Sequence, residues 1–341
     1  MGKLAILAGV AMTRLPESVV RMIYRGREER LGERVLDPKA QAVGRLANLL
    51  RQPGQVPNVE ESRAQTHRIA KAFDEPSPPL KRKQDVEIDG AAGRLRARIY
   101  CDRPATDSGV PVPVLVFFHG GGWIQCDIDT HDGLCGKLAK WSGGIVVSVD
   151  YRLAPEHPFP AAVDDAIAAY HWVRDNARSI GGDPDRVGVG GDSAGGNLAA
   201  VVCQQDNGPR PAFQVLIYPG LDGRMQSKSI QELRDAYIIP LERTTWYLKT
   251  YLGGFDDPTD PRFSPGIIDN VSGLAPAYIV TGGFDPLRDE GIAYAERLAA
   301  AGVSTVHRNF PGQIHAFASL TKVIPQGNQC IREIADWLKR I

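Results

Sequence analysis

Ser193 stands in Gly191-Asp192-Ser193-Ala194-Gly195, a Gly-x-Ser-x-Gly pentapeptide. Apolar Val187 and Val189 precede it and the helix-forming stretch Asn197-Leu-Ala-Ala-Val-Val-Cys203 follows. The residues therefore predict a strand that passes into a helix through a sharp turn. Such a turn forces the serine into an unfavourable backbone conformation and requires small residues at 191 and 195, where the chain folds back on itself. It also sets the hydroxyl beside the free N–H groups and positive dipole end of the helix. That is the setting of a serine nucleophile. A Gly-rich turn after a strand is the plainer reading of the pentapeptide alone. The overlapping string Gly188-Val-Gly190-Gly191-Asp-Ser193 imitates a dinucleotide fingerprint but lacks its last glycine.

Three further groups complete a possible acyl-transfer chemistry. His119-Gly-Gly-Gly122-Trp123 closes an apolar run, and consecutive glycines let backbone N–H groups aim at one point, as a developing oxyanion requires. His119 itself reads as a structural hydrogen-bonding residue. A serine of this kind needs an acid and then a histidine further along the chain. Asp285, in Gly282-Gly-Phe-Asp285-Pro-Leu-Arg-Asp289, ends an apolar run and is the preferred acid. Asp289 is the rival, expected instead as a charge at a helix start. Of the seven histidines, His307 and His315 lie downstream of both serine and acid, and His315, just past the next apolar run, is the candidate base. Asp285 would hold one imidazole nitrogen so that the other accepts the Ser193 proton. Trp123 and Asp192 are candidates for the substrate pocket, with core packing equally open for Trp123.

These residues need a scaffold. Residues 1–75 read as helical and charged, punctuated by Pro53, Pro57 and Glu75-Pro-Ser-Pro-Pro79. The mixed-charge run Gly26–Arg34 reads as a solvated helix face or turn. Val86–Gly90 and Leu95–Tyr100 alternate apolar with polar across a glycine turn, which signals an antiparallel hairpin. Short apolar runs at 112–118, 144–149, 186–190, 213–218, 277–281 and 305–310 then alternate with helical patterns. That alternation predicts an α/β fold with a mostly parallel twisted sheet and helices on both faces. Leu221 to Pro261 interrupts it with helix-like sequence rich in aromatics, Tyr237, Trp246, Tyr247 and Tyr251. The expected division is 1–75 and 221–261 as two pieces of a helical cap, and 76–220 and 262–341 as the catalytic core.

Composition narrows the function. The 341 residues carry 40 Lys and Arg against 40 Asp and Glu, which argues against nucleic acid or an anionic membrane surface as partner and suits an uncharged small molecule. Five scattered cysteines read as reduced thiols of a cytoplasmic protein rather than a disulfide framework. The apolar run Leu4–Met12 lies at the lower limit of a signal-peptide core, which keeps secretion open. It is too short to span a membrane, and an amphipathic surface helix is the expectation. Cys126, His131 and Cys135 match no common zinc spacing, and the serine chemistry needs neither metal nor cofactor. His131-Asp132 reads as a helix cap. Tyr151-Arg152-Leu-Ala-Pro-Glu156-His157-Pro158 reads as an ion-paired loop supporting the glycines.

Taken together, His119-Gly-Gly-Gly122, Asp150-Tyr-Arg-Leu-Ala-Pro-Glu156, Gly191-Asp-Ser-Ala-Gly195, Asp285-Pro-Leu and Gly312-x-x-His315-x-Phe317 resemble the hormone-sensitive-lipase family of bacterial carboxylesterases (family IV), in its GDSAG branch. The resemblance covers roughly residues 80–341. It implies an α/β-hydrolase fold with a helical cap built from the N-terminal region and an insertion after the sixth strand. It also implies oxyanion donors on the backbone of Gly121, Gly122 and Ala194, short-to-medium acyl esters as substrates, and a homodimer through the last strand. An amidase or peptidase, or a true lipase, would use the same triad. A non-catalytic receptor on this scaffold, as in plant gibberellin receptors, would lack the histidine.

Overall fold

The computed structural model describes residues 3–51, 58–103, 110–205 and 208–341; Pro53 and Pro57 lie outside them. The hairpin comes first, β1 (Arg82–Gly90) and β2 (Gly93–Cys101), antiparallel and closed at the Gly90–Gly93 pair. β3 (Val112–Phe118), β4 (Ile145–Val149), β5 (Gly182–Asp192), β6 (Gln214–Ile217), β7 (Ala277–Phe284) and β8 (Thr305–Ile314) follow. The eight strands form one sheet in the order β1-β2-β4-β3-β5-β6-β7-β8, parallel from β4 to β8.

The two-residue period of a strand divides the core. Val114, Val116 and Phe118 of β3 face one apolar cluster, Leu115 and Phe117 the other. The first cluster is filled by α6 (Ala161–Asp175), α7 (Ala194–Gln204) and α10 (Arg288–Ala300). The second is filled by α5 (Asp132–Ser142) and α11 (Pro325–Leu338). Strands covered on both faces have no solvent side, which is why 112–118 and 145–149 read as nearly continuous apolar runs, broken only at Ser148 in the second.

The remaining helices lie in two stretches of sequence. α1 (Lys3–Arg14), α2 (Glu17–Tyr24), α3 (Pro38–Leu50) and α4 (Val59–Phe73) precede the sheet. α8 (Lys228–Glu232) and α9 (Leu241–Leu252) follow β6. The 26–34 run is not a helix face: Gly32, at φ +60°, turns the chain so that Arg30–Leu31 pairs with Arg34–Val35 in a short ladder. The two stretches touch. Arg243 Nη2 of α9 donates to Ser62 Oγ of α4 at 2.9 Å, and the Arg51 guanidinium donates to the Tyr237 carbonyl. The Tyr237 ring lies so close over Gly44 of α3 that a Cβ there would sit 2.4 Å from it. Leu4 and Leu7 of α1 are 81% and 65% exposed. Among the described residues no helix is long and apolar enough to cross a membrane.

Candidate active site

Four strands end at the same edge of the sheet, and each delivers one part of the site. β3 runs into the glycine loop, β5 into Ser193, β7 into Asp285 and β8 into His315. The carboxyl ends of parallel strands are where a sheet of this kind leaves a crevice.

Ser193 takes φ 55° and ψ −117°, a strained conformation for a residue with a side chain. The turn is tight for the reason its sequence suggested. A Cβ at Gly195 would stand 1.8 Å from the Phe118 carbonyl oxygen, and one at Gly191 would stand 2.4 Å from the Gly195 carbonyl carbon. The strain pushes the hydroxyl up from the sheet, where Ser193 Oγ lies 2.9 Å from His315 Nε2. His315 Nδ1 lies 2.7 Å from Asp285 Oδ2, and the other oxygen of this fully buried carboxylate accepts from Leu287 N–H at 2.9 Å. Asp289 is elsewhere, in the first turn of α10, accepting from Ser229 N–H and pairing with Arg288 at 2.7 Å.

The glycine loop faces this chain. Gly121 and Gly122 take φ +113° and +63°. At both positions a side chain is also excluded sterically, by the Gln125 carbonyl at 2.2 Å and by the Tyr247 ring at 2.5 Å. The N–H groups of Gly121, Gly122 and Ala194 meet no acceptor among the described residues, unlike most buried backbone donors. Ala194 is the first residue of α7, so its N–H is also one of the orphans of a helix start.

Behind the loop lies a buried polar network that the sequence reading did not assemble. Gly120 N–H donates to Asp192 Oδ1 at 2.8 Å, and His131 Nε2 stands 3.0 Å from the same oxygen. Burial opposes the charge on both side chains, yet each partner outweighs it. The imidazolium holds the Asp192 carboxyl below its usual range, and the carboxylate raises His131. Tyr151 O–H donates to the His119 carbonyl at 2.6 Å and its ring stacks on the His119 ring at 4.3 Å. Burial, and then the His131 charge, push His119 down to about 4, so it is neutral and structural. Arg152 pairs with the buried Asp165 at 2.7 Å, and Ala154 N–H donates to the Trp123 carbonyl, fixing the supporting loop to the glycines.

One expectation is corrected by this network. His131 occupies the N-cap position of α5 but its side chain makes no capping bond, because it is committed to Asp192. Asp192 borders the cavity, and its carboxylate is engaged by Gly120 and His131. Cys135 is packed in the second core, away from Cys126, which stands against Gly121. Among the described residues no three His, Cys, Asp or Glu side chains converge as metal ligands would.

Over Ser193 and His315 opens a cavity of about 430 Å³, walled below by the strand-end loops and above by α3, α4, α9 and the 221–239 segment. Trp123, Tyr237, Tyr247 and Phe263 border it. Tyr251 packs behind, stacked on Trp123 at 4.4 Å and 5°. The wall above the glycines is held by a closed polar ring: Ser62 O–H donates to Gln125, Gln125 and Arg243 both donate to Tyr247 Oη, and Arg243 also donates to Ser62.

Residues 115–319 match the family model described as an alpha/beta hydrolase fold. The chain belongs to that family. Within it the chain falls in the hormone-sensitive-lipase-like group. It is 41% identical to the carboxylic ester hydrolase LipN of Mycobacterium tuberculosis over 318 residues, 90% of this chain and 83% of that protein. It is 42% identical to the carboxylesterase NlhH of the same species, covering 83% of this hydrolase and 89% of the relative. In three dimensions it resembles the ester-hydrolase EH1AB1 from the metagenome of Lake Arreo, with TM-score 0.84, 39% identity, and 89% and 98% of the two chains covered.

Proposed function

We propose that this hydrolase is a carboxylesterase that cleaves short-to-medium acyl esters through Ser193, His315 and Asp285. The observation that carries the reading is the unbroken chain Asp285 Oδ2–His315 Nδ1 and His315 Nε2–Ser193 Oγ, at 2.7 and 2.9 Å, on the floor of the cavity. The names of LipN and NlhH support the same substrate class.

With Nδ1–H donated to Asp285, Nε2 of His315 is left as the acceptor for the Ser193 proton. Ser193 Oγ attacks the ester carbonyl, and the N–H groups of Gly121, Gly122 and Ala194 hydrogen-bond the oxyanion. These donors already stand without partners, so no reorganisation is needed when the charge develops. The tetrahedral intermediate collapses to the acyl-enzyme as His315 protonates the departing alcohol. Water, deprotonated by His315, then attacks the acyl carbon and releases the acid and Ser193. Residues 1–75 and 221–261 act together as the cap, a role supported by the Arg243–Ser62 bond and by the cavity wall they share.

Ser193→Ala should lower p-nitrophenyl butyrate turnover at least about a thousandfold while leaving the unfolding midpoint unchanged. Near-wild-type turnover by that variant would refute the mechanism. In the wild-type protein the rate should peak at short-to-medium acyl chains and exceed that on the matched anilide. A maximum at long chains with interfacial activation would point to a lipase, and equal anilide cleavage to an amidase.

A further inference from the structure

The chain is neutral overall, but the cavity wall is not. Three guanidinium groups border it, Arg51, Arg68 and Arg243, and among the described residues none has a carboxylate within salt-bridge distance. Four carboxyl groups border the same space, and three are spent. Asp192 is neutralised by His131 at 3.0 Å, and Asp222 is paired with Arg224 at 2.8 Å. Glu290 is buried and accepts from Asp222 N–H at 2.7 Å, and burial, which disfavours its charge, pushes it well above the usual carboxyl range. Among the described residues that leaves the exposed Glu61, one carboxylate without an ion-pair partner against three such guanidinium groups. The adjoining segment Gln52-Pro-Gly-Gln-Val-Pro57 contains no acidic residue.

Arg243 is the best placed of the three. Its Nε and Nη2 are held by Tyr247 Oη and Ser62 Oγ, both at 2.9 Å, and Tyr247 lies directly over Gly122 of the glycine loop. Neutral partners fix the guanidinium without cancelling its charge, and Nη1 has no protein partner among the described residues. Arg51, tied to the Tyr237 carbonyl, is close enough that burial and then the Arg243 charge depress its proton affinity, outweighing the smaller opposite pulls of Glu242 and Asp235. Two like charges half-withdrawn from water are poorly stabilised until an anion joins them. A guanidinium held in place with free N–H groups is a ready receptor for a carboxylate.

We infer that the preferred substrate of this cavity is an ester that carries a second, anionic carboxylate, received by Arg243 and Arg51 while the ester carbonyl lies at Ser193. This rests on the esterase reading and names the substrate class of the same site. Mono-p-nitrophenyl succinate and p-nitrophenyl butyrate present the same leaving group on acyl chains of equal length, with and without the charge. The ratio of kcat/KM for the charged over the neutral ester should exceed one in the wild-type protein. It should fall about tenfold or more in Arg243→Gln, be largely retained in Arg243→Lys, and shrink as salt rises. A ratio below one in the wild-type protein that Arg243→Gln does not change would overturn the inference. Calorimetric binding of the succinate monoester to Ser193→Ala, with and without Arg243→Gln, separates the two readings. Weaker binding in the double variant supports the anion site even if turnover fails for another reason, and equal binding refutes it. Loss of Ser193-dependent turnover on both esters would refute only the esterase reading.

Discussion

The two walls of the cavity are built on different terms. The lower wall is made of strand ends and the turns that follow them: β3, β4 and β7 have almost no exposed residue, and Asp285, His119 and Asp192 are buried with them. In the upper wall α3 is largely buried, but α4 and α9 bury little. Ser62 is the only buried residue of α4, and Tyr247 and Tyr251 are the only ones of α9. Polar contacts between distant stretches add to what packing there is, Arg243 to Ser62, Arg51 to Tyr237 and Arg63 to Glu156. The contrast separates two tasks. Bond making tolerates little displacement, so its groups are fixed by a core that opens only with global unfolding. Substrate admission needs a surface that can shift, and half-exposed helices joined by a few hydrogen bonds supply one.

Substitutions on either side should break or sharpen this contrast. The largest effect belongs to the lower wall. Asp285→Asn should cut kcat by about 10,000-fold with KM little changed, because the amide no longer fixes the Nδ1–H tautomer of His315. Steady-state kinetics beside a thermal melt would check it, and a loss of less than tenfold would mean that Asp285 is not the orienting acid.

Next comes His131→Asn, which leaves the buried Asp192 carboxylate without its cation and loosens the glycine loop from behind. Removing one member of a buried pair costs about 3–5 kcal/mol, so a clear fall in the unfolding midpoint should accompany a lower kcat. The pH dependence has a definite sign. A histidine whose proton affinity is raised on folding contributes fully below its unfolded value of 6.5, and that contribution fades as pH climbs through the raised folded value. Asp192, depressed on folding, contributes above its ordinary value of 3.8 and loses that below its folded value. The stability gap between wild type and His131→Asn should therefore be widest between pH 4 and 6.5 and narrow above it. A gap constant from pH 5 to 9 would contradict a charged pair.

The smallest effect is expected at the seam of the upper wall. Glu156→Gln removes the carboxylate facing Arg63 at 2.7 Å, but Glu156 is 54% exposed. Arg63 also keeps its bonds to the Ile124 and Ala154 carbonyls. Screening limits such a pair to about 0–1 kcal/mol, and chemical denaturation should show a change within that range. A larger loss would mean that the upper wall is held more firmly than its burial suggests.

Sequence legibility follows the same division. The turn at Ser193 could be read because its constraints are local: Gly195 is needed within two residues of the serine it serves, and the strand and helix on either side declare themselves by pattern. Asp285 and His315 could be read because both follow apolar runs that had to be strands. The His131–Asp192 pair was not legible. Those residues are 61 positions apart, and a lone histidine before a helix reads as a cap; only the packing of α5 against the sheet reveals its partner. The ladder at 30–35 was missed because a mixed-charge run with two glycines has no periodicity to separate turn from helix. The ring of Ser62, Gln125, Arg243 and Tyr247 draws on three separate stretches of chain and carries no motif at all.

By itself, then, the sequence determined which residues could do chemistry and that a mostly parallel sheet would carry them, because strand periodicity and turn sterics act over a few residues. Tertiary structure alone decided that Asp285, His315 and Ser193 stand within hydrogen-bonding reach of one another. It also decided that Asp192 is paired with His131, and that a neutral chain brings to one cavity three arginines without an ion-pair partner among the described residues. Charge is counted along a chain but felt through space. A sum of zero over 341 residues therefore says nothing about the field within a few ångströms of the site.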